Sequence, residues 1–271
     1  MGDRGFSFYP IQPEMKSNSQ LYLENQPKGL LKNEVILFYQ LTTDEHTPAH
    51  LPVIPDGCLD LLFCCDPSHP FAILATSPES RCLYHFKPNC VYFGVRLFPE
   101  QTLLTLPCSI KELIQHQQIP LFEMVQFDSS LLENMVRLQS FPERIKWFIS
   151  FFQQKQQETN YDQNLIKYCL NSIYATNGII HINQLASDTG YSSRYLQRKF
   201  EEYIGFSPKQ LCQIIRLQYT IQELLHRNQL LNTVIDDFSF YDKSHFYKGF
   251  KKYMNLTPKQ YINTYKSVSY S

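Results

Sequence analysis

The chain has 271 residues, 43% of them hydrophobic and 18% charged, enough apolar side chain for two modest domains that each bury a core. A formal net charge of zero argues against a uniformly basic binder of nucleic acid, but that sum hides a split. Residues 161–271 hold 13 Lys and Arg against 8 Asp and Glu, a net of +5, and residues 1–160 hold 12 against 17, a net of −5, an asymmetry that points the second half towards a polyanion.

The opening MGDRGFSFYP has charges and a Pro where a secretory signal needs an apolar stretch. No apolar run approaches the ~18 residues of a membrane-spanning helix. The expectation is a cytoplasmic protein that meets no membrane and keeps its eight Cys reduced. Residues 1–30, punctuated by Pro10, Pro13, Pro27 and Gly29, read as a loosely structured lead-in. From about 31 to 98, short apolar runs (Val35 to Tyr39, Leu59 to Phe63, Val91 to Val95) alternate with Pro, Asp and Ser turns and predict an antiparallel sheet. From about 100 the pattern turns helical. Amphipathic stretches carry Leu131, Leu132, Met135 and Leu138, then Ile145, Phe148, Ile149 and Phe152. The polar run from Gln153 to Asn160 reads as a linker.

Beyond it lies an internal repeat with an offset of 50: Phe200 matches Phe250, Tyr203 matches Tyr253, and Ser207-Pro-Lys-Gln210 matches Thr257-Pro-Lys-Gln260. In the first copy a short helix, residues 182–188, ends at Thr189-Gly190, and Ser192 caps a second helix. That helix turns Leu196, Phe200 and Tyr203 or Ile204 inward and Arg194, Gln197, Arg198 and Glu201 outward. Helix, glycine turn and donor-rich helix make the helix-turn-helix pattern. In the second copy Asp242 caps a helix with Phe246, Phe250 and Tyr253 inside and Lys243, Ser244, Tyr247 and Lys248 outside. The expected chain is therefore α+β. A mostly antiparallel β domain, a small sandwich or barrel with accessory helices, spans 1–152. A linker spans 153–160, and an all-α domain of two helix-turn-helix units joined by a connecting helix spans 161–271.

At these residues the chain resembles the AraC/XylS family of bacterial transcription regulators. The resemblance is carried by Ala186 to Ser192, Arg198-Lys-Phe200, Gly205-Phe-Ser-Pro208, Arg216-Leu217, Leu224-Leu225, and the stretch Phe240 to Phe246 through Phe250-Lys-Lys, Thr257-Pro258 and Tyr261. It departs from the family pattern at Ile235, Ser239, Thr220 and Asn255, and Asn at the last site tolerates the left-handed region that the family's Gly takes there. Residues 51–61 and 94–99 more faintly resemble an uncharacterised domain found ahead of this module. The family resemblance puts base reading in duplex DNA on Arg194, Tyr195, Gln197 and Arg198 and on Lys243, Ser244, Tyr247 and Lys248. Ser192, Lys209, Lys251, Lys252 and Lys259 are expected on phosphate. It further implies RNA polymerase as a partner, and an amino-terminal domain that senses a small-molecule effector or forms a homodimer.

Candidate effector contacts are Tyr84, Phe86, Tyr92 and Arg96; the competing reading makes the aromatics core and pairs Arg96 with Asp56 or Asp60. His46-x3-His50 and Cys82-x2-His85 motivate an alternative, a metal- or thiol-responsive regulator, but the paired CxxC spacing of a zinc site is missing and no metal or other cofactor is expected. No nucleophile–base motif or phosphate-cradling glycine loop is present, and Pro107-Cys108 is followed by Ser109-Ile110 rather than by the His of a repair methyltransferase, so no enzyme is expected. The Leu131/Leu132/Met135/Leu138 stripe offers a dimer seam, against the commoner outcome of intradomain core.

Overall fold

Three apolar runs supply the centre of a six-stranded antiparallel sheet: β2 (Val35–Thr42), β4 (Leu59–Cys64) and β7 (Val91–Leu97). The computed structural model describes residues 8–153, 160–226 and 242–269. With β1 (Leu21–Asn25), β3 (His50–Val53), β5 (Phe71–Thr76), β6 (Cys82–His85) and β8 (Gln118–Pro120), the order of the large sheet is β1-β2-β7-β4-β5-β8, and β3 pairs with β6 in a second, two-stranded sheet. The central strands are buried on both faces, which is why they read as nearly unbroken apolar runs. One face presents Phe38, Phe63 and Phe93; the helix Phe141–Phe152 lays Phe141 and Phe148 on it, with ring centroids 5.7 Å (Phe38–Phe148) and 6.1 Å (Phe93–Phe141) apart. The opposite face meets the small sheet, where Phe86 sits edge-on to Tyr92 at 5.0 Å. An antiparallel β domain followed by helices is the α+β architecture expected.

Two parts of the chain depart from the sequence reading. The lead-in holds a short helix, α1 (Pro13–Asn18), and the edge strand β1, which pairs with β2 from Leu21↔Thr42 to Asn25↔Phe38. Gln12 exchanges hydrogen bonds with both backbone groups of Ile54, and buried Glu14 receives Arg81 through two of its nitrogens at 2.9 and 2.6 Å. Short, capless and half exposed, these elements lack the periodicity that marks the others. The helical stretch after residue 100 is also interrupted by β8 at the far edge of the sheet. Its helices are α2 (Ile110–Ile114), α3 (Leu121–Met124), α4 (Ser130–Arg137) and α5 (Phe141–Phe152). Leu131 and Met135 of the proposed seam are fully buried in the domain's own core.

Among the described residues, the only regular elements of the second half are helices: α6 (Tyr161–Ala175), α7 (Ile182–Thr189), α8 (Ser193–Tyr203), α9 (Pro208–His226), α10 (Lys243–Met254) and α11 (Pro258–Ser269). Linker residues 154–159 and the second-turn residues Ile235, Ser239, Phe240 and Tyr241 lie outside the described residues.

The two halves are closely joined. Gln218, at mid-length in α9 and buried, accepts from the Ile11 amide at 2.8 Å and donates to the Pro55 carbonyl at 2.7 Å. Phe8 stacks on Tyr174 of α6 at 5.0 Å. The Arg81 amide donates to the Tyr253 carbonyl at 2.6 Å, and Asn255 Nδ2 donates to the Arg81 carbonyl at 2.9 Å.

Candidate nucleic-acid interface

Each copy of the repeat is built on buried aromatics and capped by a side chain. In the first, Leu185 of α7, Leu196 and Phe200 of α8, and Ile204 just past its end are buried together with Leu211 and Ile215 of α9. Gly190 closes α7 with φ +70°, the left-handed corner that only Gly enters without strain. Ser192 then caps α8, its Oγ accepting from the Tyr195 amide at 3.2 Å, which leaves the hydroxyl proton to donate outward. In the second, Asp242 caps α10 by accepting from the His245 amide at 2.7 Å, with Phe246, Phe250, Tyr253 and Met254 buried beneath. Asn255 ends α10 at φ +58°, in the left-handed region. Capping boxes repeat at the next helix of each unit, Ser207 with Gln210 and Thr257 with Gln260.

With their apolar faces fixed inward, α8 and α10 turn a polar face to solvent. Arg194, Gln197 and Arg198 are exposed on α8, as are Lys243, Ser244 and Lys248 on α10; Tyr247 is half-buried, with Lys243 over its ring at 6.0 Å. Lys251 and Lys252 are exposed at the end of α10, and Lys209 and Lys259 stand exposed in the first turns of α9 and α11, where the helix dipole also favours an anion.

The helix-turn-helix domain family matches residues 185–264, a span that takes in both units and the helix between them. These residues belong to a helix-turn-helix domain. An uncharacterized HTH-type transcriptional regulator of Haemophilus influenzae is 35% identical over 89 residues, which are 33% of this chain; the chain spans 29% of that relative's length. Among solved structures, an apo form of ToxT from Vibrio cholerae covers 91% of this chain and 98% of its own at 14% identity, with a TM-score of 0.43. Wild-type ToxT bound to an unsaturated fatty acid covers 90% and 96% at 16% identity, with a TM-score of 0.40.

Within the helix-turn-helix domain, α8 is braced from behind by contacts that the sequence does not signal. Tyr195 stacks on Tyr191 at 4.7 Å and donates its hydroxyl to Asp162 of α6 at 3.0 Å, and Tyr191 donates to Tyr161 at 2.9 Å. With the phenol committed to Asp162, the Tyr195 ring serves as a platform, and the Arg198 guanidinium lies over it at 5.3 Å. Lys199 points back to Asp162 at 2.6 Å and Glu202 at 3.1 Å. Hydrogen bonding from Lys199 holds the Asp162 carboxyl below its ordinary range, and Asp162 in turn raises Lys199. Glu201, expected on the outward face, is partly exposed there and accepts Lys111 of α2 at 2.6 Å.

The four effector candidates fall in the core. Tyr84 donates to the Thr76 carbonyl at 3.0 Å, Tyr92 accepts from the Lys87 amide at 2.8 Å, and Phe86 packs edge-on against Tyr92. Arg96, 2% exposed, donates through Nε and Nη2 to Asp60 at 2.9 and 2.8 Å and lies 3.5 Å from Asp56. The core pairing weighed against an anion handle is therefore the observed one. A cleft of about 470 Å³ does open between the halves, lined by Gln101, Thr105, Cys108 and Ser109 on one side and Asn160, Gln163 and Tyr203 on the other. His50 and His85 are cross-strand partners with rings 5.3 Å apart, but alternation along β6 puts Cys82 and His85 on opposite faces. Among the described residues, no three His, Cys, Asp or Glu gather into a group that would hold a metal ion, and no helix is long and apolar enough to cross a membrane.

Proposed function

We propose that this protein is a sequence-specific, duplex-DNA-binding transcription regulator whose helices α8 and α10 enter successive major grooves. The carrying observation is the pairing of two capped helices, each buried on its aromatic side and exposing Arg, Gln or Lys on the other, within one helix-turn-helix domain. Arg194, Gln197 and Arg198 read bases from α8, with Tyr195 supporting Arg198, and Lys243, Ser244, Tyr247 and Lys248 read from α10. Arg pairs bidentately with guanine and Gln with adenine, each pair discriminating by about 1–3 kcal/mol. Ser192, Lys209, Lys251, Lys252 and Lys259 hold phosphate and carry no sequence information. Grooves about 34 Å apart on one face of B-DNA let a single chain read an asymmetric site. Family resemblance adds RNA polymerase as the partner and activation as the outcome. A small-molecule effector, if one acts, fits the interdomain cleft better than the filled core of the β domain, since its volume lies in the range of small-molecule sites.

Selection of bound duplexes from a random library, followed by titration of the recovered site against single-base-pair variants, tests the reading. Arg198→Ala is expected to cost about 1–3 kcal/mol on the selected site and relax preference at one base pair. Lys252→Ala is expected to weaken all duplexes alike and lower the salt slope by about 0.9. Recovery of no consensus, or equal losses for Arg198→Ala on selected and random duplexes, refutes it.

A further inference from the structure

We propose that Glu201 and Lys111 together position Gln197 for base reading, so that the amino-terminal domain takes part in the sequence preference of the first reader helix. The inference rests on the DNA-reading function above and names a control over that same site. Gln197 donates from Nε2 to Glu201 Oε1 at 2.9 Å, and the other oxygen of the same carboxylate, Oε2, receives Lys111 Nζ at 2.6 Å. An ionised carboxylate only accepts, so it dictates which end of the Gln197 amide turns towards it. The nitrogen faces Glu201 and the carbonyl faces away. One N–H of Nε2 is thereby engaged, and Gln197 keeps a second N–H and its carbonyl oxygen, the donor and acceptor that N7 and N6 of adenine require. A flipped amide would set its carbonyl against a negative charge.

Lys111 reaches Glu201 from 90 positions away because α2 is seated on the end of α8. A Cβ on Gly205, just past α8, would run into Ile114 Cδ1 and lie 2.9 Å from Ile110 Cγ2, so the glycine is what lets α2 approach this closely. With side chains 57% and 24% exposed, the Lys111–Glu201 pair adds little to stability. Its effect is directional: it holds Oε1 towards Gln197 and neutralises a carboxylate at the edge of a surface that must meet phosphate. Lys111, then Gln197, keep the Glu201 carboxyl below its ordinary range, and so ionised and purely accepting at neutral pH. In the second unit, fifty positions on, Tyr247 and Lys251 replace Gln197 and Glu201, which makes α10 an internal control.

The test uses the full chain, a duplex obtained by selection, and its single-base-pair variants. Gln197→Ala is expected to flatten preference at one base pair roughly tenfold. Lys111→Met is expected to reduce preference at that same base pair about three- to tenfold, to leave the pairs read by α10 unchanged, and to be rescued by Lys111→Arg. Glu201→Gln, which presents either end of an amide to Gln197, is expected to give the same localised loss. If Lys111→Met and Glu201→Gln lower affinity for every duplex by one factor, with the preference intact, the positioning role is overturned and Lys111 is a general charge. If Gln197→Ala changes preference nowhere while Arg198→Ala does, the inference falls and the reader helix stands. If neither changes it, base reading by α8 fails first.

Discussion

Replacing Gly205 by Ala tests the seat of α2 on α8 directly. Gly205 has φ +84°, where an L-residue costs about 1–2 kcal/mol. The new methyl would also collide with the Ile114 side chain, lie 2.9 Å from Ile110 Cγ2 and lie 3.2 Å from the Ile110 carbonyl carbon, and overpacking of this kind adds about 1–3 kcal/mol. Gly190 supplies the comparison: its φ is +70°, but nothing lies within 4 Å of an added Cβ, so Gly190→Ala carries the backbone cost alone. Thermal unfolding followed by circular dichroism should place Gly205→Ala below Gly190→Ala by about 1–3 kcal/mol, at about 2–4 °C per kcal/mol for a chain of this size. Shortening Ile114 to Ala should hurt the Gly205→Ala protein less than the wild type, since it removes one of the atoms struck. Equal losses at the two glycines, with additive behaviour of Ile114→Ala, would refute the argument for a tight α2–α8 contact.

Asp60→Ala leaves buried Arg96 with Asp56 at 3.5 Å as its remaining carboxylate and is expected to cost about 3–5 kcal/mol in urea unfolding; a loss under about 1 kcal/mol would mean that Arg96 finds water. The Asp162–Lys199 pair makes stability depend on pH at both ends. Asp162 sits below its ordinary 3.8 in the fold, so its contribution is present above that value and lost as pH falls through the depressed pKa; Lys199 sits above 10.5, so its contribution is present below that value and lost as pH rises through the raised one. The melting-temperature gap between wild type and Asp162→Asn should therefore be flat between those limits and close at the acid end; a gap unchanged at pH 2 contradicts the pairing. For the thiols, half-buried Cys82 and Cys108 should alkylate first in the native protein, and buried Cys58, Cys65, Cys169 and Cys212 only on unfolding; burial raises Cys82 to about 11, as it does Cys65 and Cys169, so access to the sulfur sets the order. Rapid native labelling of Cys58, read by mass spectrometry, would revive the thiol-responsive alternative.

What could be read in the sequence follows from how each feature is encoded. Strands β2, β4 and β7 show themselves because burial on both faces demands unbroken apolar runs, and the helix-turn-helix units because Gly190, Ser192, Asp242 and the spaced aromatics are local signals. Edge strands β1 and β8 carry no such demand; β1 is half exposed and β8 has three residues. The outward placement of Arg194, Gln197 and Arg198 came from helical spacing alone. The partners of their neighbours did not, because Tyr195–Asp162 spans 33 positions and Lys111–Glu201 spans 90. Lys199 is illegible in the sequence for a related reason: its inward position on α8 makes sense only with a carboxylate on α6 to receive it. Arg96 allowed two readings in the sequence, and cross-strand register decides between them by placing Asp60 directly opposite.

Gln218 gives the joint between the halves a consequence for engineering. Helix α9, which lies between the two units in the chain, is bolted at its midpoint to Ile11 and Pro55, backbone groups of the other half. A chimera that exchanges amino-terminal domains must bring an amide and a carbonyl back to the same two places. Otherwise it strands a buried carboxamide, at about 1–3 kcal/mol, in the middle of the helix that links its two units in sequence.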